Sequence, residues 1–259
     1  MVTTAKVVDL DLTSITLESL RDLVFQVRDS DTVLVLRGLD TVLGLSECID
    51  FLGRTCGLIL DRRHYSLTEN LEHQDWWEIS YQPEKAISYA YSNTKQPFHS
   101  DNAWFSDPAE LNFFLMQKQA KKGGEQFIYS VNDLVCDLGK MDPTLLKSLL
   151  NTDVLIQKGS GDYFNRGPII RQDYSGYQIY WNYYRTVRES TFIERLCEDF
   201  FGFLSEQETS AKVQYVHLNS GDGLIMNDTR NLHGRSAFEA KQSFDRILLQ
   251  SMWKCHASM

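Results

Sequence analysis

No two of the five cysteines (Cys48, Cys56, Cys136, Cys197, Cys255) stand at C-x-x-C spacing, and an odd number cannot pair off completely. That argues against a zinc ribbon or a disulfide framework and leaves reduced thiols packed as small hydrophobes. Proline is scarce, at 5 residues, and the 15 glycines are scattered, so no Pro/Gly-rich linker divides the chain. No stretch approaches the ~18 apolar residues of a membrane span. The opening MVTTAKVVDLDLTS lacks the basic start and apolar run of a secretory signal, so a cytoplasmic protein without a membrane partner is expected. Basic residues are also in deficit: 26 Lys+Arg stand against 35 Asp+Glu, a net charge of -9 with no Lys/Arg-rich run. Nucleic-acid binding needs a basic patch to release counterions, so DNA or RNA is not expected as a partner.

What remains is a 259-residue chain that is 42% hydrophobic and 12% aromatic, enough for one large core, and residues 1–259 are read as a single domain. Fixed-period repeats are absent. Apolar spacing predicts a strand from Lys6 to Leu10, a helix from Thr16 to Arg28, a strand from Thr32 to Leu36 and a second helix beginning near Ser46. After residue 85 short strands alternate with turn signals: Ile87 to Tyr91, Phe98 to Phe105, Leu111 to Gln117, the Gly123-Gly124 turn, then Gln126 to Tyr129. Helical spacing returns at Pro143 to Leu150 and Thr191 to Leu204. The remaining expected strands are Val154 to Gln157, Ile169 to Arg171, Gln178 to Tyr183, Val213 to His217, Gly223 to Met226, Ser236 to Phe238 and Arg246 to Trp253. Many short strands with few helices imply a mainly β fold, a jelly-roll barrel with helices packed outside it.

Two of the six histidines head a His-x-Asp triplet, His73-Gln74-Asp75 and His99-Ser100-Asp101. On a strand, residues i and i+2 share a face, so an imidazole and a carboxylate at that spacing can converge on a metal. His73 sits in polar ENLEHQDWWE, without alternation, and reads as a surface loop. His99 sits in PFHSDNAWF, which reads as a strand. If His99 and Asp101 are two members of a facial triad, the third ligand comes from a distant strand, and three cis positions stay open on a six-coordinate iron. His217, His233 and His256 are the downstream candidates, and His233, in NDTRNLHGRSAF, is favoured: His217 fits an ordinary alternating strand and His256 lies at the frayed end. Arg246 stands alone in the apolar strand DRILLQSMW. A guanidinium there needs a carboxylate, from the sheet or from a ligand.

Taken in order, His99-x-Asp101, Gly123-Gly124, GPIIRQDYSGYQIYWN, the Asn227 to Arg235 stretch with its Leu-His-Gly-Arg, and Arg246 resemble the iron(II)/2-oxoglutarate dioxygenases that include taurine dioxygenase, γ-butyrobetaine hydroxylase and clavaminate synthase. The resemblance covers nearly the whole chain. It implies a double-stranded β-helix, Fe(II) held by His99, Asp101 and His233, and 2-oxoglutarate chelating the iron with its far carboxylate on Arg246. It further implies O2 as oxidant, succinate and carbon dioxide as products, and hydroxylation of a substrate C–H bond, with desaturation or cyclisation beginning from the same hydrogen abstraction. An aspartate at 101 fills the position that halogenases of this family leave for chloride, so chlorination is not expected.

The sequence departs from the family at three points. Gln126 replaces the threonine that helps hold the cosubstrate; its amide can still hydrogen-bond a carboxylate, so Gln126 is kept as a cosubstrate candidate. Gln250 replaces a second arginine, which puts more of the cosubstrate's grip on Arg246. A cysteine-rich zinc module like that of γ-butyrobetaine hydroxylase is not seen, which argues against a carnitine-pathway role. Tyr91, Asn93, Asn102, Trp104 and Arg235 flank the expected ligands and are the substrate-pocket candidates. Their arginine and asparagine content points to a small polar metabolite bearing a carboxylate, an amino acid or derivative, free or tethered to a carrier. The polar stretch from Tyr65 to Lys85 is a candidate lid. The competing readings are a cupin-like metal hydrolase or isomerase, which has no need of Arg246, and a catalytically silent ligand-binding barrel. The sequence sets no oligomeric state.

Overall fold

A computed structural model describes residues 6–11, 15–63, 75–85, 88–159, 163–174 and 176–255. The early strands are β1 (Val7–Asp11), β2 (Val33–Arg37), β3 (Ile59–Leu60), β4 (Trp77–Ser80), β5 (Gln96–His99), β6 (Leu111–Lys118) and β7 (Gln126–Ser130). Then come β8 (Asp153–Lys158), β9 (Tyr163–Pro168), β10 (Ile170–Asp173), β11 (Gly176–Ile179), β12 (Gln214–Val216), β13 (Gly223–Asn227), β14 (Asn231–Arg235) and β15 (Ile247–Lys254). The helices are α1 (Leu17–Asp29), α2 (Leu45–Asp50), α3 (Val131–Met141), α4 (Pro143–Asn151) and α5 (Thr191–Gln207). The protein is mainly β with flanking helices.

A seven-stranded sheet runs β1-β2-β13-β6-β15-β3, with β4 also paired to β15, and a four-stranded sheet runs β12-β7-β14-β5. Among the described residues only the β1–β2 pairing is parallel. Period-two alternation decides what each strand gives to each face. In β2, Leu34 and Leu36 pack outward against Leu20, Val24 and Val27 of α1, whereas Val33 and Val35 face inward. The same parity holds in β6, where Phe113 and Leu115 go outward and Phe114 and Met116 inward. Ile128 of β7 and Val216 of β12 join that inner cluster, so the two sheets pack face to face. The outer face of the small sheet, with Phe98, Phe127, Tyr129 and Leu232, is covered by α3, α4 and α5. Buried on both faces, β2 and β6 read as apolar runs rather than alternating ones. Each fully buried Leu, Val or Phe contributes roughly 1.5–3 kcal/mol.

Helix starts follow local chemistry. Thr16 accepts from the Ser19 amide at 3.1 Å, Asp142 from the Leu145 amide at 2.8 Å, and Ser190 from the Ile193 amide at 3.2 Å, each satisfying an otherwise orphaned N–H.

Several sequence expectations are corrected. Residues 88–91 form turns rather than a strand, because the chain doubles back there to present its carbonyls to Arg235. The strand through Phe98 ends at His99, and Ser236 to Phe238 makes only one isolated bridge, Phe238 to Gly123. Helix α3 and strand β9 were not anticipated. His73, His256 and residues 65–74 of the candidate lid lie outside the described residues, and Trp77–Ser80 of that stretch is β4. Among the described residues no helix is long and apolar enough to cross a membrane.

Candidate metal centre

Alternation on two neighbouring strands builds the centre. In β5 Phe98 points to the helices and His99 inward; in β14 Leu232 points outward and His233 inward. The ladder sets His233 directly opposite His99, with ring centroids 4.2 Å apart. Asp101 arrives by another route. Past His99 the chain bends: the Ser100 amide donates to the Trp181 carbonyl at 2.8 Å, the Trp181 amide donates back to Ser100 Oγ at 2.9 Å, and Asn102 takes a left-handed φ of 56°. Asp101 thus reaches the histidines from a turn, not from the shared strand face expected of a His-x-Asp triplet. Its Oδ1 lies 3.5 Å from His99 Nε2 and its Oδ2 lies 3.3 Å from His233 Nε2. One donor atom from each of the three residues falls within 4.8 Å of the others.

The Pro97 carbonyl can only accept, so its 3.0 Å contact fixes the proton of His99 on Nδ1 and leaves Nε2 a lone pair, which receives the Gln96 amide at 2.8 Å. Burial and the adjacent His233 push the His99 pKa down. Burial would raise that of Asp101, but the two imidazoles that face its oxygens hold it well below the carboxylate range. Asp228, 1% exposed, lies with Oδ1 3.2 Å from His233 Nε2, and burial pushes its pKa up to about 7, with Asp101 adding and His233 opposing. Neither oxygen of Asp228 nor His233 Nε2 makes a hydrogen bond. Orphaned buried polar atoms are costly, and two imidazoles with a carboxylate suit a divalent first-row metal with open positions. The donor set therefore fits Fe(II).

The centre opens into a cleft of about 420 Å³. Trp77, Ile79, Phe114 and Leu248 form its apolar wall, and Gln96, Gln126 and Arg235 supply polar groups. Arg235 is pinned by the carbonyls of Tyr89, Ser92 and Thr94 at 3.3, 2.9 and 2.8 Å. Arg246, 1% exposed, donates weakly to the Gly124 carbonyl at 3.4 Å, while its Nε has no partner. Among the described residues no carboxylate forms an ion pair with it, and burial, with the charge of Arg235, pulls its pKa down to about 9 against the opposing charge of Glu125. A Cβ on Gly124 would stand 3.0 Å from Arg246 Nε, and one on Gly123 2.1 Å from the Ala237 carbonyl; both glycines have φ of 79°, so the Gly-Gly turn is required.

The other substrate candidates lie outside the cleft wall. Lys85 caps the ring of Tyr91, Asn93 donates to the Phe238 carbonyl at 3.3 Å, Asn102 is fully buried beside Met252, and Trp104 belongs to the core beneath the helices. Sequence reasoning missed Gln96, Asn112 and Asp228 and gave Gln250 no role of its own. The available signal was a polar residue at an inward position of an apolar strand: Asn112 in LNFFLM and Gln250 in ILLQSMW.

Two packed sheets enclose a His/Asp/His cluster, and a buried arginine without an ion pair among the described residues precedes the strand that lines its cleft. Residues 2–253 match the family described as taurine catabolism dioxygenase TauD, TfdA family, and the chain belongs to it. Human gamma-butyrobetaine dioxygenase is 26% identical over 176 residues, which is 63% of this chain and 45% of that one, so the chain matches less than half of this relative. Among solved structures, asparagine oxygenase with Fe(II), 3-hydroxyasparagine and succinate superposes with a TM-score of 0.70 at 15% identity, covering 92% of this chain and 79% of that one. The PvcB protein from Pseudomonas aeruginosa gives 0.65 at 15% identity, covering 96% and 84%.

Proposed function

We propose that this protein is an Fe(II)- and 2-oxoglutarate-dependent oxygenase that hydroxylates a C–H bond of a small polar metabolite, an amino acid or its derivative, free or carrier-tethered. It acts as one cytoplasmic catalytic domain, its two sheets forming the double-stranded β-helix. The observation that carries this reading is Arg246: a buried guanidinium with no ion pair among the described residues, immediately before β15, whose Leu248 and Gln250 line the cleft of the His/Asp/His cluster. A hydrolase or isomerase on the same triad gives that arginine no work, whereas a dicarboxylate cosubstrate pairs with it.

His99, Asp101 and His233 hold the metal. Bound Fe(II), 2-oxoglutarate and O2 supply the chemistry, in which the cosubstrate is decarboxylated to succinate and carbon dioxide while a substrate C–H bond is oxidised. Arg246 grips the far carboxylate of 2-oxoglutarate through parallel charge-assisted hydrogen bonds, and Gln126 adds an amide. The Pro97 carbonyl keeps the His99 ring in one tautomer, and the apolar wall excludes water from the reacting centre. Arg235 holds the 89–94 turn that forms the rim, and the amide of Gln96 orients a polar substrate. Asparagine oxygenase, which shares this fold, is seen in complex with a hydroxylated amino acid, and that supports the substrate class. The test is succinate release from 2-oxoglutarate across a panel of free and carrier-linked amino acids. Coupled turnover with some of them is expected; turnover only with apolar or polymeric compounds would overturn the substrate class.

A further inference from the structure

Asp101 is held by two amides that come from the opposite sheet. Gln250 Nε2 donates to Asp101 Oδ2 at 2.7 Å, and Asn112 Nδ2 donates to the same oxygen at 3.0 Å. The second proton of Gln250 Nε2 goes to Asn112 Oδ1 at 3.1 Å, which turns the nitrogen of Asn112 toward Asp101. The triangle is closed, and no flip of either amide preserves it, because a flipped carbonyl would face the carboxylate. Gln250 keeps this orientation even though its own Oε1 is left buried without a partner. Both amides are essentially inaccessible, Asn112 at 0% and Gln250 at 1%, and they lie on adjacent strands, since β6 and β15 pair Phe114 with Gln250 and Asn112 with Met252. Asp101 follows β5 of the small sheet. The clamp therefore ties a turn of one sheet to the inner face of the other.

We propose that Asn112 and Gln250 are positioning residues that occupy Oδ2 of Asp101 and leave Oδ1 as its one free oxygen for the metal. The inference rests on the proposed metal site and adds to it how many positions stay open. A carboxylate oxygen has two lone pairs in its plane, and two amide donors use both. Asp101 then contributes one ligand atom instead of two, and a six-coordinate metal held by His99, His233 and that atom keeps three positions: two for a chelating 2-oxo acid and one for dioxygen. Freed of the clamp, Oδ2 can take one of those positions.

The experiment uses Co(II) as the probe for Fe(II) and reads the metal without turnover. Wild-type protein and the variants Gln250→Leu, Asn112→Leu and His99→Ala are freed of metal, titrated with Co(II) by calorimetry, and their ligand-field absorption recorded before and after 2-oxoglutarate is added. Circular dichroism of the metal-free proteins checks the fold. The expected result is Co(II) affinity lower by about 10–100-fold in both leucine variants, the usual cost of losing an outer-shell partner. Their absorption should differ from wild type as Oδ2 enters one of the open positions, and the 2-oxoglutarate-induced change should be diminished. A purely structural role would shift the melting temperature and leave the spectrum as in wild type. Wild-type affinity and spectrum in a folded Gln250→Leu protein overturn the clamp while the metal site stands. Equal Co(II) binding by wild type and His99→Ala overturns the metal site, and the clamp with it.

Discussion

Replacing Arg246 by methionine separates what the arginine does for binding from what it does to stability. The stem is retained in volume and the charge is lost. If Arg246 receives the far carboxylate of 2-oxoglutarate through two charge-assisted hydrogen bonds at about 1.5–3 kcal/mol each, the substitution removes roughly 3–6 kcal/mol of binding. At about 1.4 kcal/mol per tenfold, that is a 10²–10⁴-fold weaker cosubstrate complex. Stability should move the other way. The guanidinium is 1% exposed, has no ion-pair partner among the described residues, and is desolvated enough to pull its pKa down to about 9. A depressed pKa on a base means that folding disfavours the charged form, so the penalty is fully present at neutral pH. Exchanging such a charge for hydrocarbon of similar volume gains about 1–4 kcal/mol. With about 2–4 °C per kcal/mol for a chain of this size, the metal-free variant should melt several degrees above wild type. Calorimetric titration of 2-oxoglutarate into anaerobic Fe(II)-loaded protein, with scanning calorimetry of the metal-free form, reads both effects. Undiminished binding, or a metal-free variant that melts below wild type, would refute the reasoning, because either result makes Arg246 a structural residue.

Further expectations follow from the same geometry. His99→Ala and Asp101→Ala should each abolish succinate formation and weaken metal binding while circular dichroism stays native; retained activity in both would sink the ligand assignment. Gly234→Ala places a Cβ 2.2 Å from the Phe127 ring and 2.7 Å from the Gln96 carbonyl, beside His233. Overpacking of that kind costs about 1–3 kcal/mol or more, so a clear drop in melting temperature is expected and an unchanged one would contradict the register of β14. Asp222 accepts from the Gly38 amide at 3.0 Å, from Arg37 at 2.7 Å and from the Asn219 amide at 2.8 Å. Burial alone would raise its pKa, but those donors hold it below the ordinary carboxylate value. Its stabilisation is therefore present above the unfolded value of about 3.9 and is lost as pH falls through the lower folded one. Asp222→Ala should destabilise by about 1–3 kcal/mol near pH 7, with the gap to wild type closing in strong acid; a gap independent of pH would show that the carboxylate charge is not involved.

The parts that were legible in the sequence are those where alternation and composition act alone. Strands β2, β6, β13 and β15 and helices α1, α4 and α5 follow from apolar spacing, Arg246 stood out because a charged residue is rare in such a strand, and His99 and His233 were reached through the His-x-Asp spacing and the choice among the downstream histidines. Helix α3 was missed although Val131, Leu134, Val135 and Leu138 stand at helical spacing; Ser130 before it donates to Asp31 and does not cap the helix. The segment from residue 88 to 91 has the alternation of a strand, but a buried arginine distant in sequence collects the carbonyls of Tyr89, Ser92 and Thr94, and no local pattern announces that. The His-x-Asp spacing places Asp101 beside His99 correctly but for an incorrect reason: a turn braced by Trp181, not a continued strand, brings it back. Gln250 interrupts an apolar strand, but its role is not written there, because its partners, Asp101 and Asn112, lie on other elements.

Among the described residues, buried polar atoms without partners include Trp104, Asp133, Trp181 and Asn231, but the remaining ones lie where the chemistry is assigned. Asp228, His233, Arg235, Arg246 and Gln250 each keep at least one such atom. They come from the β13–β14 turn, β14, and β15 with its leading edge, and the surrounding inner face is closed by Phe114, Met116, Leu224 and Leu248. A core built only for stability would have filled these positions with hydrocarbon, since an unmade hydrogen bond costs more than a made one returns. Local rules broken together at one place mark a site whose partners arrive with the ligand. For His233 that partner is the metal, and for Arg246 it is a carboxylate. Gln250 is the instructive case, because its unpaired carbonyl is tolerated so that its two protons can restrain Asp101 and Asn112. The stability lost at that carbonyl leaves Asp101 with a single oxygen free for the metal.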